Sequence, residues 1–409
     1  MKIFNKKAIG LDIADHTIEV VELTKEGTKI NVTSTGRTQL APGVVERGEI
    51  KNADRLTEVL KSLFENAQPQ PIKPAGVIFG LPGSLVYTHV FSIGPHEKEK
   101  RLGLISEEAQ SHIPLPSDDL IYSYQIISEN GDKAEIFLVA ISRKAFVTWQ
   151  DFFRTANIKI DAFDIEALAI YRGIFSKQVK LPVCIIDLGS VTTNINIFDE
   201  AGIRYSHTLN IGGDAMTAEV ARALSVKDLN KAEEEKRKEG LTKPGEKVCN
   251  ALVKVLEIIV MESNTAFSYL KSQTESSVKE LILVGGSSLL SGLPEYFNVN
   301  LNIPARLGKP VIIMSEDDGL LYLESIGLAL RNLESRWNDQ PTFSLGFSST
   351  SRAEPLTSVV QDGKVRPPFK VQNWIKTYRK EIVLTALLLV ITLILSVSFW
   401  YDKPIIYEQ

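Results

Sequence analysis

The chain has 409 residues, with 46 lysines and arginines against 50 aspartates and glutamates and a formal net charge of −4. Hydrophobic residues make up 44% and charged residues 23%, which excludes a disordered or fibrous chain, and the mild negative charge excludes the basic stripe typical of nucleic-acid-binding proteins. The two cysteines, Cys184 and Cys249, are too few for a disulfide framework or a four-cysteine zinc site.

Residues 1–334 alternate β-rich runs with helical patterns, which predicts a mixed α/β fold with helices on the faces of its sheets. Strands are predicted at 8–13, 17–23, 76–79, 88–93, 121–127, 135–141, 183–187, 193–199, 202–209 and 280–284. Helices are predicted at 54–67, 98–111, 143–156, 166–175, 213–224, 245–274, 289–298 and 325–333. The charged run at 231–239 is predicted to be the solvated face of a helix.

Two of the predicted strands carry an aspartate near their end and lead through a tight turn into a second strand. Asp12 lies at the end of the strand at 8–13, and Asp187 closes the strand at 183–187. Because the same strand–turn–strand design occurs twice along the chain, we predict a duplicated α/β fold whose two halves face a central cleft.

The turn after Asp187 carries the residue types that a nucleoside triphosphate needs. Residues 187–193 read Asp-Leu-Gly-Ser-Val-Thr-Thr; the small residues let backbone N–H groups wrap phosphate oxygens, and the carboxylate suits Mg²⁺. A Gly-Gly-Asp run at 212–214 opens a predicted helix, whose N-terminus attracts anions. A Gly-Gly-Ser run at 285–287 follows a predicted buried strand and leaves room for a flat ring. Together these runs predict a nucleotide-binding cleft.

Other signatures of phosphate binding or catalysis are absent from the sequence. There is no G-x-x-x-x-G-K-[ST] motif, and no G-x-G-x-x-G motif follows a strand. There is no G-x-S-x-G nucleophile elbow, and the five histidines show no metal-ligand spacing. P-loop, Rossmann, serine-hydrolase and histidine-based metal sites are therefore not predicted.

The order of the motifs, with Gly10-Leu11-Asp12-Ile13 first and the runs at 187–193, 212–214 and 285–286 after it, resembles the actin-like ATPase superfamily. More closely, the chain resembles the PilM family of type IV pilus assembly proteins, relatives of the division protein FtsA. The runs at 80–84, 107–116, 164–169 and 326–331 match that family in place and order. The resemblance covers about residues 6–334.

The resemblance implies an α/β, actin-like (duplicated ribonuclease-H-like) two-lobed fold over residues 1–334, with an FtsA/PilM-type small subdomain at 76–160. It implies a scaffold that binds ATP and Mg²⁺ and docks the N-terminal cytoplasmic peptide of a PilN-like membrane protein. It also implies contact with other pilus platform proteins at the inner membrane. Nucleic acid is not an expected partner, and the formation of a homo-oligomer stays open.

The same resemblance assigns site residues by position. Asp12 and Asp187 would hold Mg²⁺, Glu166 and Asp187 are the candidate catalytic residues, and Glu262 would reach the ribose. Glu166 lies near the place where the superfamily orients water. The other predicted nucleotide-binding residues are Gly10 in the first motif, Gly189, Ser190, Thr192, Thr193, Gly212, Gly213 and Asp214 around the phosphates, and Gly285, Gly286 and Ser287 against the adenosine.

The chain departs from the family pattern at two places in the predicted site. The first turn usually reads D-I-G-S, whereas here Ala14 and Asp15 follow Ile13. Asp15 would put a negative charge near the phosphates unless Mg²⁺ or its own orientation offsets it. Thr265 stands where the family usually has arginine. These departures predict ATP binding with slow or no hydrolysis.

The C-terminal region has the composition of a tethered membrane span. Residues 335–373 are predicted to be a flexible linker, 374–381 a basic and aromatic juxtamembrane segment, 382–401 a transmembrane helix and 402–409 a short extracytoplasmic tail. Lysines and arginines concentrate before the span. The positive-inside rule then predicts a single-pass protein of the bacterial inner membrane with its N-terminal domain in the cytoplasm.

Residues 343–347 form a short apolar island in the predicted linker. One interpretation is incidental hydrophobicity, and another is a peptide that docks into a groove on a partner or on this chain. If the island imitates the partner peptide in cis, deletion of residues 336–350 is expected to raise the affinity for a PilN-type peptide.

Three other functions stay open at this point. A GspL-like component of type II secretion shares the fold and the single span, and the neighbouring genes would distinguish it. A sugar kinase of the same superfamily needs a second carboxylate as the base in a sugar pocket, for which the sequence offers no convincing candidate. An FtsA-like division protein would have an amphipathic membrane helix, whereas residues 382–400 have no polar face.

Overall fold

The computed structural model describes residues 6–94, 98–130, 133–314, 319–337, 340 and 343, together with residues 360–361 and 364–365. Within this part of the chain, no helix is long and apolar enough to cross a membrane. The predicted span at 382–401, its juxtamembrane segment, the tail and the remainder of the apolar island lie outside the described residues.

The predicted alternation of strands and helices is confirmed, and the structure adds strands that the sequence patterns do not predict, among them β3, β10 and β15. The strands are β1 (Lys6–Ile13), β2 (Thr17–Glu26), β3 (Lys29–Gln39), β4 (Val45–Glu46), β5 (Glu49–Ile50), β6 (Ala75–Leu81), β7 (Val86–Ile93), β8 (Leu120–Asn130), β9 (Lys133–Ser142), β10 (Lys159–Ile165), β11 (Val183–Leu188), β12 (Thr193–Asp199), β13 (Gly202–Leu209), β14 (Glu280–Val284), β15 (Ala305–Leu307), β16 (Val360–Gln361) and β17 (Lys364–Val365). The helices are α1 (Ala53–Glu65), α2 (Lys98–His112), α3 (Arg143–Thr155), α4 (Glu166–Ile174), α5 (Gly213–Leu224), α6 (Leu229–Glu239), α7 (Lys247–Thr274), α8 (Leu293–Leu301) and α9 (Leu323–Leu333).

The first lobe is built on a five-stranded sheet with the order β10-β6-β1-β2-β3. β1, β2 and β3 are antiparallel neighbours, and β6 runs parallel to both β1 and β10. The pair β1–β2 is the first of the two predicted hairpins. α1 begins after Asn52, whose side chain accepts a hydrogen bond from the Arg55 amide at 3.0 Å, and α1 packs beside β3.

The second lobe repeats this arrangement in a sheet with the order β13-β12-β11-β14-β15. β11, β12 and β13 are antiparallel, and β14 runs parallel to β11 and β15. Cys184, Ile185, Ile186 and Leu188 of β11 are each at most 1% exposed, as expected for a central strand that is covered on both faces. Because three antiparallel strands lead into two parallel ones in both sheets, the predicted duplication is confirmed.

A small subdomain is inserted between β6 and β10. Its antiparallel sheet has the order β7-β9-β8, and α2 packs beside β7. The predicted boundaries at 76–160 are too wide, because β6 and β10 pair with each other in the sheet of the first lobe. The subdomain sheet itself extends from Val86 to Ser142, and α3 follows it.

α9 packs at very short range against β1 and α4, and two glycines make this approach possible. A Cβ atom at Gly327 would lie 1.7 Å from the carbonyl oxygen of Ala169, and one at Gly10 would lie 1.9 Å from the carbonyl oxygen of Ser325. Neither distance leaves room for a side chain. Gly10, which the family pattern places in the nucleotide site, therefore has a helix-packing role in the structure.

Residues from the predicted linker pack against the first lobe. Phe343 forms an antiparallel bridge with Phe163 of β10 through N–H···O bonds of 3.0 and 3.1 Å. Phe343 is 5% exposed, and its ring lies 5.8 Å from that of Phe146 in α3. Trp337 is buried as well. The first residue of the apolar island thus docks on its own chain.

A buried charge cluster ties another residue of this segment to the lobe. Arg172 and Arg331 both pair with Asp164, and all three residues are at most 6% exposed. Burial lowers the pKa of Arg172 to about 10, although the negative charge of Asp164 acts in the other direction. Gln340 accepts a hydrogen bond from Arg172 with its side chain and one from Arg331 with its backbone oxygen at 2.8 Å. Trp337, Gln340 and Phe343 therefore complete the folded lobe.

Candidate functional site

An acidic cluster forms where β1 and β11 approach the first turns of α4 and α9. Asp12, Glu166 and Glu324 each offer a carboxylate oxygen within 4.8 Å of the other two. Asp187 lies close enough for its charge to raise the pKa of Glu166. The structure therefore brings together the three predicted residues Asp12, Glu166 and Asp187, and it adds Glu324, which the sequence patterns do not single out.

Burial is the main cause of raised pKa values in the acidic cluster. It raises the pKa of Asp187 to about 6 and, together with the charge of Asp187, that of Glu166 to about 8. It also raises the pKa values of Asp12 and Glu324 well above their usual range, and repulsion between neighbouring carboxylates adds to the effect. In the described part of the chain, Oε1 of Glu324 is buried and has no hydrogen-bond partner. Oxygen ligands that lack a counter-charge suit a hard cation such as Mg²⁺.

Two glycines before β7 leave the space that two of these carboxylates occupy. A Cβ atom at Gly80 would lie 2.4 Å from Oε1 of Glu324, and one at Gly83 would lie 2.6 Å from Oε2 of Glu166. The run at 80–84, which matches the family pattern, therefore lines the acidic cluster.

The three predicted glycine runs converge on the turn that follows β11. The amide of Gly213 and the hydroxyl of Ser287 both donate to the carbonyl oxygen of Gly189 at 3.0 Å. The amide of Asp214 donates to the carbonyl oxygen of Ser190 at 2.8 Å. Residues 189–190, 212–214 and 285–287 thus lie together, as their joint use in one nucleotide site requires.

The close approach of these runs depends on glycine at two positions. A Cβ atom at Gly212 would lie 2.5 Å from the carbonyl oxygen of Ser190. Gly285 has a φ of +82°, and a Cβ atom there would lie 2.4 Å from Oδ1 of Asp187. At Gly286, by contrast, a Cβ atom would enter open space. The backbone of Gly286 therefore borders a space that a ligand can use.

The amides of the turn divide into two groups. Those of Gly213 and Asp214, at the start of α5, are already used to hold the turn. Across the described residues, the amides of Ser190, Val191 and Thr192 donate to no protein acceptor. The N–H groups that the turn can offer to an anion are therefore those at 190–192, whereas the amides of Gly213 and Asp214 are occupied.

Two residues predicted beside the phosphates have protein partners. The hydroxyl of Thr193 donates to the carbonyl oxygen of Ile211 at 2.7 Å. The carboxylate of Asp214 lies 3.0 Å from Nε2 of His16, and this hydrogen bond is the main cause of a raised pKa for His16. Because His16 lies in the β1–β2 turn, its contact with Asp214 joins the two lobes at the cleft.

The first turn accommodates both residues that depart from the family pattern. The hairpin closes through a 3.0 Å hydrogen bond from the amide of Ala14 to the carbonyl oxygen of Thr17. The carboxylate of Asp15 accepts hydrogen bonds from the amides of Arg47 at 2.8 Å and Gly48 at 3.0 Å, in the turn between β4 and β5. The negative charge that the sequence places near the phosphates is thus stabilised by backbone amides.

The charged run at 231–239 lies in α6, but one of its lysines is not solvated. Lys236 is 6% exposed, and its ammonium group donates to the carbonyl oxygen of Gly213 at 3.1 Å and to the hydroxyl of Thr217 at 2.9 Å. It also pairs with Glu233 at 2.6 Å. The prediction of a solvated face is therefore wrong at Lys236, which braces the glycine run at 212–214.

The family pattern places two positions of α7, Glu262 and Thr265, in the nucleotide site, and the structure shows different neighbours for both. Glu262, predicted to reach the ribose, lies near Tyr205 of β13, where its charge adds to burial in raising the pKa of the phenol. Thr265 is exposed and lines a surface groove between α7 and α8. Glu233 and Lys236 are thus the charged residues that the structure places against the glycine run.

Comparisons with known proteins show the family and the fold of the chain. The family model described as type IV pilus assembly protein PilM matches residues 10–332. A chain of a solved PilM-PilN type IV pilus biogenesis complex superposes with a TM-score of 0.70 at 20% identity, covering 80% of this chain and 98% of that chain. The cell division protein FtsA of Pseudomonas aeruginosa is 24% identical over 87% of this chain and 96% of its own length. FtsA of Neisseria meningitidis serogroup B is 23% identical over 73% and 83%, respectively.

The structural likeness establishes the actin-like fold, and the family match spans both lobes with the acidic cluster and all three glycine runs between its ends. The expected resemblance is therefore confirmed. The chain belongs to the PilM family of type IV pilus assembly proteins and is an actin-like scaffold of that pilus system.

Proposed function

We propose that this protein binds ATP with Mg²⁺ in the cleft between its lobes and docks a PilN-like membrane protein on the cytoplasmic side of the inner membrane. The observation that carries the nucleotide site is the convergence of residues 189–190, 212–214 and 285–287 beside the acidic cluster. The PilM family match favours a pilus role over the GspL-like, division and kinase alternatives. Anchoring by the span at 382–401 stays a prediction, which alkaline extraction of membranes would check.

The phosphates would bind at the turn formed by residues 189–192. Its amides at 190–192 are available, and its carbonyl oxygens are held by Gly213, Asp214 and Ser287. The turn is therefore ordered before a ligand arrives, which lowers the conformational entropy lost on binding.

Mg²⁺ would be held by Asp12 and Asp187, directly or through water, with Glu166 and Glu324 beside it. The donor set fits, because all four groups are carboxylates and Oε1 of Glu324 is buried without a hydrogen bond in the described part of the chain. When bound, the ion supplies positive charge that offsets both the carboxylates and the phosphates.

The adenosine would lie against Gly285, Gly286 and Ser287, because Gly286 borders open space. Lys236 and Glu233 contact the glycine run and its helix, and they are therefore the charged groups placed to meet the sugar. These contacts support a role for α6 at the sugar beside the one that the family pattern gives to Glu262, which stays a prediction.

Slow or absent hydrolysis is the expected behaviour of this site. A group that orients or deprotonates water must be ionised near neutral pH. Burial and the charge of Asp187 raise the pKa of Glu166 to about 8, so its carboxyl group is mostly protonated at pH 7 in the absence of a cation. In the cation-free site Glu166 is therefore a weak general base, and the departures from the family pattern at Ala14, Asp15 and Thr265 carry the expectation of slow hydrolysis when Mg²⁺ is bound.

Calorimetric titration of the purified full chain with ATP tests the nucleotide site. We expect one binding site that requires Mg²⁺ and is lost when EDTA is added. Failure to bind at millimolar ATP in the presence of Mg²⁺ would contradict the proposal.

The acidic cluster predicts a pH dependence of stability when divalent cations are removed. Burial raises the pKa of Asp187 to about 6 and that of Glu166 to about 8, above their ordinary values, so the folded state binds more protons than the unfolded state. The resulting stability is fully present below the ordinary carboxyl pKa of about 4 and is lost as the pH rises from there to about 6 for Asp187 and about 8 for Glu166. In EDTA, the melting temperature is therefore expected to fall by several degrees between about pH 6 and pH 8.

Differential scanning fluorimetry measures this profile. Glu166→Gln should flatten its upper part, whereas Glu58→Gln, at an exposed position on α1, should leave it unchanged. A Glu166→Gln profile identical to that of the wild type would show that this carboxyl group does not titrate as described.

A PilN-type peptide is expected to compete with the chain's own Phe343. β10 is the edge strand of its sheet, and such an edge accepts an extended segment through backbone hydrogen bonds. Phe343 already bridges Phe163 there and buries its ring. Phe343→Ala is therefore expected to raise the affinity for the N-terminal cytoplasmic peptide of the cognate PilN-like protein several-fold.

Fluorescence anisotropy with the labelled peptide and the full chain measures this effect. The point variant is preferable to deletion of residues 336–350, because deletion also removes Trp337 and Gln340 from the folded lobe. Val299→Ala, at an exposed position on α8, is the matched control. Equal affinities of wild type and Phe343→Ala would reject cis imitation of the partner.

A further inference from the structure

A cluster of two histidines and a glutamate lies on the small subdomain, outside the nucleotide cleft. Nε2 of His89 in β7 lies 3.1 Å from Oε1 of Glu108 in α2, and Nδ1 of His112 lies 3.2 Å from the same oxygen. The two imidazole rings stack with centroids 4.5 Å apart. The sequence shows no metal-ligand spacing among its histidines, because it is the packing of α2 beside β7 that brings His89 and His112 together.

We infer that His89, Glu108 and His112 form a binding site for a divalent transition-metal ion, with Zn²⁺ as the best fit. Each residue offers one ligand atom, and the three atoms lie within 4.8 Å of one another. Zinc bonds of about 2.0–2.1 Å in a tetrahedron place neighbouring ligand atoms about 3.3 Å apart. The nitrogen–oxygen distances of 3.1 and 3.2 Å are close to that value.

The cluster is open on one side, as an ion and a fourth ligand require. The side chain of His112 is 51% exposed, whereas those of His89 and Glu108 are 27% and 30% exposed. Three protein ligands with an accessible fourth position are typical of zinc sites that keep a water molecule. Zn²⁺ would thus be bound by three protein ligands and one water.

Local packing fixes the ligands before an ion arrives. Glu108 and His112 are one helical turn apart on α2, so they project from the same face of the helix. The hydroxyl of Ser111 lies 2.9 Å from Nδ1 of His112, and the ring of His89 stacks on that of Phe91. Nδ1 of His112 also lies 3.3 Å from the carbonyl oxygen of Glu108. An ion would displace both contacts and link the last turn of α2 to β7.

The ligand types separate this site from the acidic cluster in the cleft. Imidazole nitrogen favours Zn²⁺, Cu²⁺, Ni²⁺ and Co²⁺, whereas Mg²⁺ prefers oxygen ligands alone. Excess Mg²⁺ should therefore occupy the carboxylates of the cleft and leave the subdomain site available to Zn²⁺.

Titration of the full chain with zinc chloride in excess Mg²⁺ tests the proposal. We expect one equivalent of Zn²⁺ to bind, and we expect His89→Ala and His112→Ala each to weaken binding at least tenfold. His207→Ala, an exposed histidine of β13, is the matched control and should bind as the wild type does. Visible absorption of the Co²⁺ form reports four-coordinate nitrogen and oxygen ligation independently of affinity.

Glu108→Gln separates the loss of a metal ligand from a change in structure. Glutamine keeps the shape of glutamate and an oxygen that can accept a hydrogen bond from either imidazole. Loss of zinc by this variant with an unchanged circular dichroism spectrum assigns the effect to the ligand set. Zinc binding that His89→Ala leaves intact, or that Asp187→Asn abolishes, would place the ion elsewhere and overturn the inference.

Discussion

Replacement of Asp187 by asparagine is expected to abolish Mg²⁺-dependent ATP binding and to leave the fold at least as stable as that of the wild type. Asp187 is one of the two carboxylates assigned to the ion, and loss of such a ligand is expected to lower the affinity by about 100-fold or more. Without a cation, burial raises the pKa of Asp187 to about 6, so the ionised carboxylate is costly in the folded state. A neutral amide of the same shape removes that cost.

Calorimetry and thermal unfolding in EDTA together measure the two halves of this prediction. Asp161→Asn makes the same chemical change at an exposed position of β10, and it should alter neither ATP binding nor stability. A structural role for Asp187 would instead lower the melting temperature of Asp187→Asn. Unchanged ATP affinity would show that the metal assignment is wrong.

The glycine runs could be predicted from the sequence because their chemistry is local. A turn that offers consecutive amides needs small residues at adjacent positions, and the runs at 187–193, 212–214 and 285–287 supply them in order. Their convergence depends on the duplicated fold, which the two Asp-ended hairpins also predict. Which amides stay available could not be predicted, because Gly213 and Asp214 donate to a turn distant in sequence.

Glu324 and Lys236 could not be predicted, because their roles arise only from tertiary packing. Glu324 lies in the first turn of α9 and meets the cluster through space that Gly80 leaves. Gly80 lies in a run that matches the family pattern, but nothing local pairs it with a glutamate 244 positions later. Lys236 stands among eight residues of which most are charged, and a charged run normally predicts solvation.

The predicted helices and strands are wrong where the local sequence pattern is weak or is not used. β3 is an edge strand in which Ser34 is the buried residue, so its hydrophobic alternation is weak. The helix predicted at 289–298 begins instead at Leu293, after Gly292 in a left-handed conformation and with Pro294 in its first turn. Gly292 and Pro294 are local signals that a helix begins there, so this start could have been predicted. The contact of Phe343 with Phe163 could not, because it joins segments 180 positions apart.

Gly327→Ala is expected to destabilise the chain by about 3 kcal/mol or more, a large loss for one methyl group in a helix. α9 crosses α4 so closely that the new Cβ atom would lie 1.7 Å from the carbonyl oxygen of Ala169 and 3.0 Å from the amide nitrogen of Gly173. Both neighbours are backbone, so neither can rotate away. α9 would have to move, and it carries Glu324 of the acidic cluster and Arg331 of the buried charge cluster.

Gly103→Ala makes the same substitution in another helix, and it is expected to raise the stability of the chain instead of lowering it. Gly103 lies in α2 and is exposed, and a Cβ atom there would have no neighbouring atom within 4 Å. The gain in helix propensity should therefore stabilise the chain by about 0.5–1 kcal/mol. Chemical denaturation of both variants measures the difference. Comparable stability of the two variants would mean that α9 and α4 can separate at little cost. A large difference means that the spacing between α4 and α9, and with it the distance between Glu166 and Glu324, is set by glycine.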